Sequence, residues 1–144
     1  MPLLNYTSSV PVSRTIPEMH ASLLQCRARS ISTDYDEGGL PLALSFLVET
    51  PLGWRHFRLP INALAVEQVM HKDSAVSPKL KTAAQAQRVA WRIAKDWLAA
   101  QLAIIETEMV TLDQVMLPYM KGDDGQTVYE LYVNKQLALP AGDA

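Results

Sequence analysis

ARSISTDYDEGGLPLALSFLVETPLGWRHFRLP, residues 28–60, decides the fold. Its first eight residues alternate, placing Ile31, Thr33 and Tyr35 on one side of an extended chain. DEGGLP (36–41) is a turn rich in glycine and acids, and PLALSFLVET (41–50) again alternates, with Leu42, Leu44, Phe46 and Val48 together. PLG (51–53) closes a second tight turn before WRHFRLP (54–60). Three short strands joined by short turns predict an antiparallel meander.

Helical spacing lies on both sides of this block. Upstream, Met19, Leu23 and Cys26 recur at three and four residues, so Pro17 to Arg27 reads as a helix. Thr15 suits its cap and Pro17 its first turn. Downstream, Asn62 is placed to cap a short helix over about 63–71. A long helix is predicted from Thr82 to about Glu108, because Ala86, Val89, Ile93, Trp97, Ala100 and Ile104 step by three or four. That stripe is expected to lie on the sheet. A second stripe, Trp91, Leu98, Leu102 and Ile105, suits deeper burial or contact with another copy of the chain, and so points to a homo-oligomer through the long helix. TVYELYV (127–133) fits strand or helix. The expected fold is therefore α+β: a three-stranded antiparallel meander packed against a long helix, with short N-terminal and connecting helices. Residues 1–13 are expected to form a flexible arm, 14–139 one domain, and 140–144 a frayed tail.

Composition agrees. The chain has 144 residues, 49% of them hydrophobic and 19% charged, as in a single globular domain. Cys26 is the one cysteine, which excludes an internal disulfide and reads as a small core residue. MPLLNYTSSVPVSRT lacks the basic start and apolar run of a signal peptide, and no stretch has the length of a membrane span. These readings point to the cytoplasm, with no membrane partner.

Catalytic signatures are sparse. No glycine-rich phosphate loop follows a strand, and His20, His56 and His71 are scattered without metal-ligand spacing. The acids of DYDE (34–37) and KGDDG (121–125) sit beside glycines and read as solvated turns. The expectation is a protein that is not an enzyme and needs no cofactor and no metal.

Charge is more informative. Residues 1–95 hold 11 Lys/Arg against 7 Asp/Glu, a balance of +4, whereas residues 96–144 hold 2 against 8, a balance of −6. Arg88, Arg92 and Lys95 share one face of the long helix, against the preference of the helix dipole for cations at the other end. Arg55 and Arg58 alternate with Trp54, His56 and Phe57 on the third strand, a mix that suits gripping phosphates and stacking bases. The expectation is a basic groove between sheet and helix that binds nucleic acid, preferably single-stranded, through Arg55, Arg58, Arg88, Arg92, Lys95 and Trp54. A rival reading assigns the acidic C-terminal third to a host or phage protein partner, as in an anti-defence factor. Another makes the chain a structural subunit of a phage assembly.

All three readings draw on resemblance. Tyr6, Val10-Pro11, Arg14-Thr15, Arg58-Leu59-Pro60, Ala90-Trp91-Arg92, Lys95-Asp96-Trp97 and Leu117-Pro118-Tyr119 resemble a group of small uncharacterised proteins encoded by bacteriophages and prophages. The likeness covers most of the chain and implies a phage-type accessory protein acting in the host cytoplasm. The order of elements, three strands then a long helix, is also similar to the β-β-β-α core of phage and Rad52-like single-strand annealing proteins. That likeness implies an oligomer holding nucleic acid between sheet and helix.

Overall fold

The computed structural model describes residues 2–135 and 138–142. The meander is present: β1 (Ser30–Tyr35), β2 (Pro41–Thr50) and β3 (Gly53–Pro60) form one antiparallel sheet in the order β1-β2-β3. Asp36 closes the first turn by accepting a hydrogen bond from the Leu40 backbone N–H at 2.9 Å, with Gly39 at φ +81°. Gly53, at φ +105°, closes the second, where the Thr50 hydroxyl donates to its carbonyl at 2.7 Å. A side chain at either glycine would meet the left-handed backbone penalty.

Register sets the two faces. Leu44 opposes Leu59 and Phe46 opposes Phe57, whose rings stack at 5.4 Å. Together with Val48 these side chains are buried toward the helices. The other face carries Ser30, Ser32 and Asp34 on β1, Ser45, Leu47 and Glu49 on β2, and Trp54, His56 and Arg58 on β3. All three strands thus have a core side and an open side, as one-sided antiparallel sheets do.

The helix layer comprises α1 (Val12–Gln25), α2 (Ala63–Lys72) and α3 (Ala83–Glu106). Asn62 caps α2, and Thr82 caps α3 by accepting the Gln85 N–H at 3.1 Å. Trp91 of α3 is wholly buried on the sheet, and its indole N–H points to the Pro41 carbonyl at 3.4 Å. Two short helices, α4 (Leu112–Met116) and α5 (Val128–Val133), follow.

Three expectations change and one open reading closes. The stripe of α3 that meets the sheet core is Trp91, Leu98 and Leu102, while Ala100 and Ile104 of the other stripe are exposed. Both rows are apolar, so periodicity could not rank them. Trp91, Leu98 and Leu102 are buried within the chain. α1 begins at Val12, not at Pro17, so Pro17 lies within it and Thr15 is buried rather than capping. Packing of Val12, Thr15 and Ile16 extends the helix upstream of the local boundary signal. Residues 127–133 resolve as helix, where Thr127 and Glu130 form a capping box that satisfies the first-turn N–H groups.

Finally, the expected arm is docked. Leu3 and Tyr6 pack against the buried cluster of Met70, Val76 and Val89. The tail from Leu139 to Gly142 is exposed and outside regular structure, while residues 143 and 144 lie outside the described residues.

Candidate nucleic-acid interface

The cations of α3 are engaged with their own chain. Arg88 Nε donates to Gln85 Oε1 at 2.9 Å, and the Gln85 amide donates to the carbonyls of Tyr6 (3.0 Å) and Ser8 (2.9 Å). Asp96 accepts from the Asn5 amide at 2.8 Å. Gln85, Arg88, Arg92 and Asp96 step by three or four, so one ridge of α3 clamps the N-terminal segment. Arg92 reaches α1 and donates to Glu18 Oε2 at 2.6 Å, while Arg14 holds Glu18 Oε1 at 3.3 Å. The Arg92 hydrogen bond holds the Glu18 carboxyl below its usual range, with the charges of Arg92 and Lys95 adding to the effect and partial burial opposing it. Lys95 lies 4.0 Å from Asp96.

Strand β3 carries the other group. Alternation places Trp54, His56 and Arg58 on the open face and turns Arg55 to the helix side of the strand end. The six residues expected to line one groove therefore fall on opposite sides of the sheet. Arg88, Arg92 and Lys95 stand in the helix layer, whereas Trp54 and Arg58 face outward. A sheet has two faces, and only the pairing register says which strand residues share the helix side.

Trp54 is 42% exposed, and the Arg29 guanidinium lies over its ring at 5.4 Å. Arg58 Nε donates to Asp34 Oδ2 at 3.1 Å, an oxygen that also accepts from the Ser45 hydroxyl at 3.2 Å. This link ties all three strands across the open face. It leaves the two terminal nitrogens of Arg58 without a protein acceptor among the described residues. Arg55 Nη1 folds back to the Trp54 carbonyl at 2.8 Å.

The outer edge of β3 is fastened to a later segment. Lys121 N–H donates to the His56 carbonyl at 2.8 Å, and Met120 bridges Phe57. Val128 N–H then donates to the Met120 carbonyl at 2.9 Å, which seats α5 beside the strand. Two cavities share β3 as a wall. One, of about 730 Å³, lies among Trp54, Arg55, His56, Lys121, Asp123 and Leu131. The other, of about 450 Å³, lies among Arg58, Pro60, Tyr119, Thr127, Tyr129 and Glu130. Both fall in the size range of small-ligand sites. α5 divides them, turning Val128 and Leu131 to the first and Tyr129 and Glu130 to the second.

Sequence reading missed Lys121, Tyr129 and Glu130. Only their fastening to the β3 edge makes them neighbours of Trp54 and Arg58. Cys26 stands apart: it packs beside the core near Val48 and Leu102, and burial, then the charge of Glu106, push its thiol pKa upward. Among the described residues no three His, Cys, Asp or Glu side chains converge as a metal would need, and no helix is long and apolar enough to cross a membrane. Comparison with protein-family models, curated proteins and solved structures gives no match.

Proposed function

We propose that this chain is a non-catalytic accessory protein of the phage type, and that it binds single-stranded nucleic acid along β3. The observation that carries the reading is Trp54. A large indole, 42% exposed on an open sheet face and flanked by Arg29, offers a ring for a base beside a cation for a phosphate. Arg55 and Lys121 line the adjoining cavity, and Arg58 continues the row. Asp34 pairs with Arg58, Glu49 opposes Trp54 and Asp123 lines the cavity, so charge alone does not make this an anion sink. The reading rests on Trp54 and Arg58 on the open face, Arg29 over the indole, and Arg55 and Lys121 beside the adjoining cavity.

Arg88, Arg92 and Lys95 have a different role in this reading. Arg92 ties α1 to α3, Arg88 orients Gln85 toward the N-terminal segment, Lys95 pairs with Asp96, and the nucleic acid does not touch them. The test is fluorescence anisotropy with a labelled twelve-nucleotide strand at low salt. Neutralising three or four phosphates gives a slope of roughly −2 to −3 in log affinity against log salt. Absence of binding at low salt removes the proposal. A protein captured stoichiometrically from nuclease-treated lysate, with no oligonucleotide bound, favours the protein-partner role instead.

A further inference from the structure

From the second cavity we infer a base-reading pocket: it accepts one guanine of the bound strand, held by Arg58 and Glu130 and stacked on Tyr129. The inference rests on the strand-binding reading and adds a sequence preference to it. The cavity, of about 450 Å³, is lined by aromatic and proline surfaces with few polar groups at its rim. Such a lining suits a flat ring whose edges carry the specificity. Tyr119 is a fixed wall, because Trp97 meets it edge-on at 5.7 Å. Tyr129 is 58% exposed, so its ring is open to a stacking partner.

The polar groups select among the bases. Arg58 spends Nε on Asp34 and keeps its terminal nitrogens, a fork of donors only. Glu130 spends Oε1 on the Thr127 N–H and hydroxyl, at 3.2 and 3.1 Å, while Oε2 takes no protein donor among the described residues. One rim therefore offers donors and the other an acceptor. Guanine presents O6 and N7 as neighbouring acceptors and N1–H and N2–H as donors on its other edge. Adenine would set its N6 amino group against the Arg58 donors. Thymine has no adjacent pair of acceptors for the fork. A phosphate is disfavoured because Asp34 already pairs with Arg58 and Glu130 lines the cavity, leaving it no net positive charge.

The experiment compares a twelve-nucleotide poly-dT strand with the same strand carrying one central dG, by anisotropy, on the full chain. The dG strand should bind the wild type about five- to tenfold more tightly, the lower part of the range for one good base contact. Arg58→Lys keeps the charge and loses the fork. Glu130→Gln keeps the capping box, which accepts glutamine, and loses the carboxylate. Each should abolish the dG advantage and melt near the wild type, and Glu130→Gln, which lies outside the strand-binding row, should leave poly-dT binding within about twofold. Amide shifts over residues 127–131 on titration with GMP give an independent reading. Equal affinity of wild type for the two strands overturns the pocket and leaves strand binding standing. A dG advantage that survives both substitutions also overturns it. If neither strand binds while GMP shifts residues 127–131, the strand reading falls and the base pocket stands alone.

Discussion

Arg92 Nη1 donates to Glu18 Oε2 at 2.6 Å and so fastens the long helix to α1. The Arg92 side chain is 21% exposed and that of Glu18 31%, which shields the pair in part from solvent and salt. Glu18 consequently ionises below its ordinary value of 4.5. In the unfolded chain the ordinary value returns. A carboxyl lowered by folding contributes stability above the ordinary value and loses it as pH falls through the lowered one. The urea midpoint should therefore drop from about pH 5 downward. Glu18→Gln and Arg92→Leu should each make that drop shallower than in wild type, while lowering stability at neutral pH. Equal acid sensitivity in wild type and Glu18→Gln would show that the pair is not the source.

The relay from Arg88 through Gln85 to the carbonyls of Tyr6 and Ser8 makes a second prediction. Gln85 is 3% exposed, so its amide has replaced water as the donor to both carbonyls. Gln85→Ala strips a donor from two partly buried acceptors and should cost about 1–3 kcal/mol. The loss should be local first, because residues 2–11 depend on this contact, on Asn5–Asp96 and on Leu3 and Tyr6 packing. Limited proteolysis should clip the variant ahead of Val12 while the wild type resists. Identical cleavage patterns would mean that packing alone holds the segment.

Cys26 supplies a prediction about reactivity. Burial raises its pKa, with Glu106 adding a like-signed repulsion, so the thiol stays protonated at neutral pH. Alkylation by iodoacetamide should be slower in the folded protein than in urea. Glu106→Gln should speed it modestly. Because the folded-state value is raised, the unfolded chain ionises first on going alkaline, and stability should fall as pH rises through the ordinary value of 9.0. Alkylation as fast in buffer as in urea would contradict this placement of the thiol.

What was legible in the sequence follows from the range of each signal. Strand alternation, the Asn62 cap and the three-and-four spacing of the long helix are local, and they located β2, β3, α2 and α3 to within a residue or two. The Thr127–Glu130 capping box was equally local and would have assigned α5 as helix, but the apolar spacing of VYELYV fits either period. Thr15 fails for a different reason: its cap signal is real but is overridden by burial against α3. The charged residues were least legible. Arg92 and Arg58 look alike as cations in sequence, yet each finds a carboxylate from another element, 74 and 24 residues away. No spacing rule reaches across those distances.

The contrast between those two arginines gives the sharpest test of the binding surface. Trp54→Ala removes the ring that would stack a base, a contact worth about 1–3 kcal/mol in single-strand binders. Affinity for a labelled single strand should then fall roughly five- to a hundredfold at constant salt, with little change in melting temperature, because Trp54 stands on the open face. Trp54→Phe should recover part of the loss. Arg88→Ala should do the opposite: it leaves affinity unchanged and lowers stability, since Arg88 orients Gln85 toward the N-terminal segment. Double substitution of Arg55 and Lys121 by Ala should flatten the salt dependence by about 1.4 in slope, two phosphate contacts at about 0.7 each. If Arg88→Ala weakens the strand and Trp54→Ala does not, the binding surface lies on the helix layer and the role assigned to β3 is wrong.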